Sequence, residues 1–262
     1  MSSEEVTRYE VRGSAGWITL ASPATRNALS AQMIAELATR LDAALGDPAV
    51  RIVVLTGTPP AFCAGADLKS GGAAVAPGGG VRNPFVGVLE RIWDGPKPVV
   101  AAVNGHAFGG GIGLVAAADV AIAVEQAAFS FSEVRVGVIP AMISVVVLPK
   151  LGVHQAMRLF LTGRRFDAAE ALAYGLLHRV VPAEGLERAV HEEIDAIALG
   201  GPNAVREAKR LIRTVSRLPM DEAFAYAEGR ITELFASAEA AEGMAAFAQR
   251  RKPAWADPSR AG

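Results

Sequence analysis

Residues 99–117 read VVAAVNGHAFGGGIGLVAA. Val99 to Val103 is a run of buried-strand type that leads into a glycine-rich turn and then a short apolar helix. The same order occurs upstream, where Arg51 to Thr56 (RIVVLT) precedes a loop from Gly57 to Lys69. A further ββ pair is expected at about 120–124 and 128–131. Strand, loop and helix recurring in this way predict an α/β domain of repeated crossover units. The spacing is too irregular for a solenoid.

Outward from this centre, residues 6–20 alternate with period 2 around Gly13 to Gly16 and read as a hairpin. Ser30 reads as the N-cap of an amphipathic helix to about Leu45, which Asp47-Pro48 ends. From Pro202 the pattern is helical, over about 202–216, 219–236 and 238–250, and turn chemistry at Gly200-Gly201-Pro202 supports a boundary. The expected division is an α/β core over 1–200 and a helical lobe over 201–262. Ser70 to Gly80 (SGGAAVAPGGG) has too little side chain to pack and is expected to form a mobile rim.

The 262 residues carry 26 Lys and Arg against 27 Asp and Glu, a net charge of -1. That balance excludes general affinity for nucleic acid or an anionic membrane. Pro98 to Val124 is apolar, yet Asn104, His106, Asp119 and a run of glycines interrupt it, which argues against a membrane span. The single Cys63 has no partner for a disulfide and no neighbours at zinc-ligand spacing. Together with the acidic, polar start Met1-Ser2-Ser3-Glu4-Glu5, this predicts the reducing cytoplasm.

Two segments carry candidate chemistry: Ala61-Phe62-Cys63-Ala64-Gly65-Ala66-Asp67-Leu68-Lys69 and Asn104-Gly105-His106-Ala107-Phe108-Gly109-Gly110-Gly111-Ile112-Gly113-Leu114. Each comes after a buried strand. Glycine lets a carbonyl ligand approach the main chain, and a helix starting at Gly109 to Gly111 aims free N–H groups and its positive dipole end at that ligand. Such donors suit a developing enolate oxygen. Taken singly, each segment is equally consistent with glycines that only permit tight strand-to-helix packing. The second run contains no G-x-G-x-x-G dinucleotide fingerprint, and the chain has no G-x-S-x-G and no Walker sequence.

Together the two segments resemble the crotonase (enoyl-CoA hydratase/isomerase) superfamily, with its A-F-x-A-G-x-D-L run and later A-x-N-G-x-x-x-G-G-G run. The likeness continues through Phe131 to Pro140, Leu161-Thr162-Gly163, Ala168 to Leu177, Glu242 to Phe247 and Pro253-Ala254-Trp255. It implies a spiral of ββα units with a C-terminal helical lobe. It implies that the N–H groups of Ala66 and Gly110 form an oxyanion hole for a thioester carbonyl. By the same resemblance Arg26, Ala28, Ala64, Ala66, Asp67, Leu68, Lys69, Gly110 and Gly113 flank the acyl-CoA. Coenzyme A is then part of the substrate, with no separate cofactor and no metal. A homotrimer or dimer of trimers built through the C-terminal helices is implied, with neither nucleic acid nor membrane as partner.

Hydratases of this superfamily usually carry two glutamates. Glu133 matches the second, before a G-x-I-P turn, and Gly113 stands where the first would be. Some similar branches also have glycine there with an E-V-R-x-G-x-I-P-A run. The implied reaction is reversible addition of water to a 2-enoyl-CoA, with Glu133 handling the proton at Cα and orienting water. A Δ3,Δ2-isomerase is the near alternative, because one carboxylate suffices to move one proton between two carbons. A CoA-ester-binding protein with weak or no catalysis is the other. A carboxylate placed at 113 is expected to project into the same pocket.

The remaining candidates have plainer readings. His106 reads as a polar turn residue, while His154, His178 and His191 lack partners at motif spacing. Asp67 suits a turn or cap, Asp119 the end of the glycine helix, and Cys63 a small buried residue. Phe62, Phe85, Leu89, Trp93, Met142 and Ile143 suit an acyl tunnel or an ordinary core. The basic face of Lys209, Arg210 and Arg213 is expected to meet solvent.

Overall fold

The expected N-terminal hairpin is β1 (Thr7–Arg12) and β2 (Ala15–Leu20), antiparallel with Tyr9 opposite Ile18. The computed structural model describes residues 5–67 and 82–256, so Leu68, Lys69 and the Ser70–Gly80 rim lie outside the described residues. The Ser30 side chain accepts from Met33 N–H and caps α1 (Ala31–Gly46), which buries Met33, Ile34, Leu37, Leu41 and Ala44 along one stripe. The helix ends at Asp47.

Three β–β–α turns come next. The first is β3 (Ile52–Gly57), β4 (Ala61–Cys63) and α2 (Pro84–Asp94). The second is β5 (Val99–Val103), β6 (His106–Phe108) and α3 (Gly110–Ala117). The third is β7 (Val120–Val124), β8 (Ala128–Ser130) and α4 (Ala141–Thr162), the last broken at Gly152. Each turn sends its first strand to one sheet and its second to another. The six-stranded sheet, completed by β10 (Arg179–Val181), runs β1-β2-β3-β5-β7-β10, and the four-stranded sheet runs β4-β6-β8-β9, with β9 being Arg165–Asp167. This is the expected spiral of ββα units.

Two expectations need correction. The strands near 120–124 and 128–131 exist but do not pair: β7 joins β5 and β10, whereas β8 joins β6 and β9. The chain turns a corner between them, which period-2 patterning cannot reveal. The segment from Gly57 onward is also not all loop, because three-residue β4 lies in it. Strands this short carry no readable alternation.

The strands β3 and β5 are covered on both faces, and β5 is buried at every residue. Every residue of α3 from Gly111 to Ala117 is buried too, so this helix is apolar all round. Packing on every side holds the N-terminus of α3 in place. Among the described residues no helix is long and apolar enough to cross a membrane. The Pro98–Val124 stretch instead supplies β5, β6, α3 and β7.

After α5 (Ala168–Ala173) and α6 (Leu186–Ala198), the chain continues as α7 (Pro202–Val215), α8 (Met220–Phe235) and α9 (Ala238–Ala248). Ion pairs tie α7 to the core. Asp119 accepts from Lys209 Nζ at 2.8 Å and from Arg213 at 2.7 Å, and Lys209 also donates to the carbonyls of Ile92 and Lys97. Arg213 lies 3.5 Å from the ring centre of Trp93. The expectation that this basic face meets solvent therefore fails for Lys209 and Arg213, whose side chains are 8% and 12% exposed, and holds for Arg210. Asp119 does more than end the glycine helix: it also accepts from Val99 N–H, joining β5, α3 and α7.

Candidate active site

The site forms where the short strands of the second sheet end. The strand β4 runs parallel to β6, with Ala61 beside His106 and Cys63 beside Ala107. The strand β6 runs parallel to β8, with Phe108 beside Ser130. This pairing gathers the three segments at the strand ends: Ala64 to Ala66, Gly109 to Gly111, and Phe131 to Glu133. The N–H of Gly109 donates to Ser130 O at 3.0 Å, locking the second and third segments.

Two glycines make the approach possible. Gly65 has φ +85, and a Cβ there would lie 2.6 Å from Phe108 O and 3.4 Å from Gly110 N. Gly109 has φ +47, and a Cβ there would lie 2.9 Å from Glu133 Oε1. Both conformations are ones that L side chains rarely adopt. The main chain beside the start of α3 is therefore bare.

The donors are a consequence of this geometry. Gly110 is the first residue of α3, so its N–H has no intrahelical acceptor and sits at the positive end of the helix. Leu29 forms a parallel bridge with Ala66, in which Leu29 N–H donates to Gly65 O at 2.8 Å. In a trans peptide the N–H points opposite to the C=O, so the N–H of Ala66 faces away from Leu29. Ala66 is exposed, Asp67 and Ala64 half-buried.

The loop before α1 is stitched to the same place. Ala64 N–H donates to Arg26 O at 3.0 Å, and Arg26 and Asn27 both have positive φ. Asn27 is fully buried; its Nδ2 donates to Thr58 O, Ala61 O and Phe62 O, and its Oδ1 accepts from Ser22 N–H. Arg26 is exposed at the rim and Ala28 is buried. The structure thus brings Arg26, Ala28, Ala64, Ala66, Asp67 and Gly110 into one region. Sequence reasoning missed Asn27 as its anchor, and nothing but its place between Arg26 and Ala28 could have signalled it.

Glu133 lies on a 3-10 turn over Ser132–Val136 that continues directly from β8. Burial pushes its carboxyl above the ordinary value, partly opposed by a hydrogen bond from its own main chain. Its Oε2 is inaccessible and has no hydrogen-bond partner among the described residues. A half-buried carboxyl beside helix-start N–H groups, with one oxygen uncommitted, is poised to hold or pass a proton.

Gly113 is placed differently from the sequence expectation. A Cβ there would lie 2.3 Å from Ile143 Cγ2, 3.0 Å from Ile143 Cβ and 3.7 Å from Leu89 Cδ2. A carboxylate at 113 therefore has no open path, because the place is filled from α4. Phe85 and Leu29 stand over Gly110 in the same way, at 3.5 Å and 2.6 Å from a Cβ built there. Of the six proposed tunnel residues, Phe62, Phe85, Leu89, Trp93 and Ile143 are buried and Met142 is half-buried.

The other candidates take structural roles. Burial pushes the Cys63 thiol up to about 12, so it is inert at neutral pH. His106 lies on β6 and accepts from Ala128 N–H at 3.1 Å, and His178 accepts from Ala121 N–H at 3.1 Å. Each ring thus serves a strand rather than the carboxyl.

The chain also matches known proteins over nearly its whole length. Residues 10–258 match the family described as enoyl-CoA hydratase/isomerase. The chain is 36% identical over 250 residues to the carnitinyl-CoA dehydratase of Proteus mirabilis, covering 93% of this chain and 95% of that one. The structure of Pseudomonas aeruginosa AtuE superposes with a TM-score of 0.90 at 37% identity, covering 97% of this chain and all of that one. An enoyl-CoA hydratase/isomerase from Marinobacter aquaeolei does so at 0.89 and 35%, with the same coverage. With nearly its whole length matched in sequence and in fold, the chain belongs to the enoyl-CoA hydratase/isomerase family.

Proposed function

We propose that this protein is an enoyl-CoA hydratase that adds water reversibly to a 2-enoyl-CoA thioester. The observation that carries this reading is that the Glu133 carboxyl stands where a side chain of Gly109 would be, next to Gly110, whose N–H starts the helix. The thioester oxygen accepts from Gly110 and Ala66, so negative charge that develops there on attack at Cβ meets preorganised donors. Glu133 takes one proton from water as its oxygen bonds to Cβ, then returns that proton to Cα as the enolate collapses. Water's hydroxyl ends on Cβ and its proton on Cα. The reverse sequence is the dehydration named in the relatives. Turnover of a 2-enoyl-CoA monitored by loss of its conjugated absorbance, with and without Glu133→Gln, tests it.

One observation favours a second reading. With position 113 closed by Ile143 and no carboxyl anywhere on α3, Glu133 has no partner glutamate on that helix, and moving a proton from Cγ to Cα in a Δ3,Δ2-isomerisation needs only one. Incorporation of solvent oxygen into the product supports hydration; a shifted double bond without it supports isomerisation.

Exposed apolar side chains support a homo-oligomer built on trimers. Val145, Val153, Met157 and Leu161 stand out on α4, and Met220, Phe224, Phe235 and Phe247 on α8 and α9. Sedimentation as a concentration-independent monomer would sink this assignment.

A further inference from the structure

Gly109 is the residue before α3, and Gly113 lies in its first turn. What covers each differs in kind. The Glu133 carboxyl lies over Gly109, and the branched side chain of Ile143, 3% exposed, lies over Gly113 with Leu89, 4% exposed, beside it. The overlap at 113 is severe. A Cβ at 2.3 Å from Cγ2 and 3.0 Å from Cβ of Ile143 meets the stiff root of a β-branched side chain, which cannot swing aside by a simple rotation. The glycine therefore does not leave room for an acyl chain; it leaves room for Ile143.

We infer that Ile143, seated in the hole at Gly113, is the specificity-determining residue of this site. Its side chain, with Leu89, forms an apolar wall at Gly113, past the oxyanion donors, where the acyl end beyond Cβ of a thioester held at Gly110 arrives. Because neither Ile143 nor Leu89 can present a polar atom there, the acyl groups accepted are those whose end beyond Cβ is hydrocarbon, and Ile143 limits how bulky that end can be. This rests on the proposed placement of the thioester carbonyl at Gly110 and Ala66.

The test separates the wall from the reaction. Dissociation constants of the unreactive thioesters butyryl-CoA, isovaleryl-CoA and succinyl-CoA are measured by calorimetry for the wild type, Ile143→Ala, Gly113→Ala and the double variant. The wild type is expected to bind butyryl-CoA most tightly and succinyl-CoA least. Ile143→Ala removes three carbons from the wall and is expected to shift the isovaleryl-to-butyryl affinity ratio about tenfold or more toward the branched ester. Gly113→Ala is expected to weaken all three esters or to lower Tm, and Ile143→Ala is expected to rescue much of that loss in the double variant, a coupling that two independent sites do not show. A folded Ile143→Ala with an unchanged ratio, or additive effects in the double variant, overturns the assignment. These affinities are read without turnover. If the ratio shifts but no 2-enoyl-CoA is hydrated, the wall stands and the hydratase reading falls; if hydration occurs and the ratio is unmoved, the reverse holds.

Discussion

The carboxyl of Glu133 rests on the main chain of Gly109, so close that a Cβ on the glycine would lie 2.9 Å from Oε1. Glu133→Gln keeps the shape and removes the titrating proton. Turnover is expected to fall by roughly 10² or more while acyl-CoA affinity barely changes, as single-turnover kinetics and calorimetry would show. An unchanged rate refutes the role.

The same contact has a pH signature in stability. Burial raises the folded-state pKa of Glu133 above its ordinary value of 4.5. Stability from the protonated form is then fully present below the ordinary value and lost as pH rises through the raised one. Because glutamine mimics the protonated state, Glu133→Gln is expected to have a higher Tm than wild type at pH 7. That gain is expected to vanish below the ordinary carboxylate range. A lower Tm at pH 7 with no pH trend counts against a desolvated carboxyl.

Gly109→Ala adds one carbon where φ is +47 and the Glu133 carboxyl already stands. Strain and contact together are expected to displace Glu133 and cut turnover at least as deeply as Glu133→Gln. Far-UV circular dichroism distinguishes a displaced carboxyl from a lost fold.

Asn27→Ala removes a buried amide that serves three carbonyls around β4 and one N–H before it. Leaving those groups unpaired is expected to cost about 2 to 3 kcal/mol in urea unfolding. Acyl-CoA binding is expected to weaken too, since Ala64 to Ala66 hang from the same loop. Unaltered stability would mean that water replaces the amide.

Asp119→Ala strands Lys209 and Arg213 in a largely dry place against the core. Removing one member of such a set is expected to destabilise by about 3 kcal/mol. Amide exchange is expected to rise first in α7, which these pairs hold to β5 and α3. Exchange that rises evenly over the whole chain would argue that α7 is held by other contacts.

Much of this was legible in the chain. Val99 to Val103 and Ile52 to Gly57 are long enough for β-branched composition to mark them, and Ser30 marked α1 by its capping chemistry. The motif pair marked the turns at Gly65 and Gly109 because glycines at such places answer a local main-chain demand, and the family resemblance it carries is what pointed to Ala66, Gly110 and Glu133. The strands β4 and β6 were missed: three residues each, they take their conformation from neighbours in the second sheet. The burial of Lys209 and Arg213 was missed because a charged helix face looks the same whether it meets water or a carboxylate.

By itself the sequence determined which backbone groups could be bare, since that is a property of residue type at a position, Gly109 and Gly110; Glu133 was pointed to by the family resemblance alone. Only the tertiary structure decided what fills the space around them. Whether Gly113 is a hole for a substrate or a socket for Ile143 depends on α4, a later element of the chain, folding back across α3. Close packing makes that choice, because a cavity and a filled socket demand the same small residue and differ only in the neighbour that arrives.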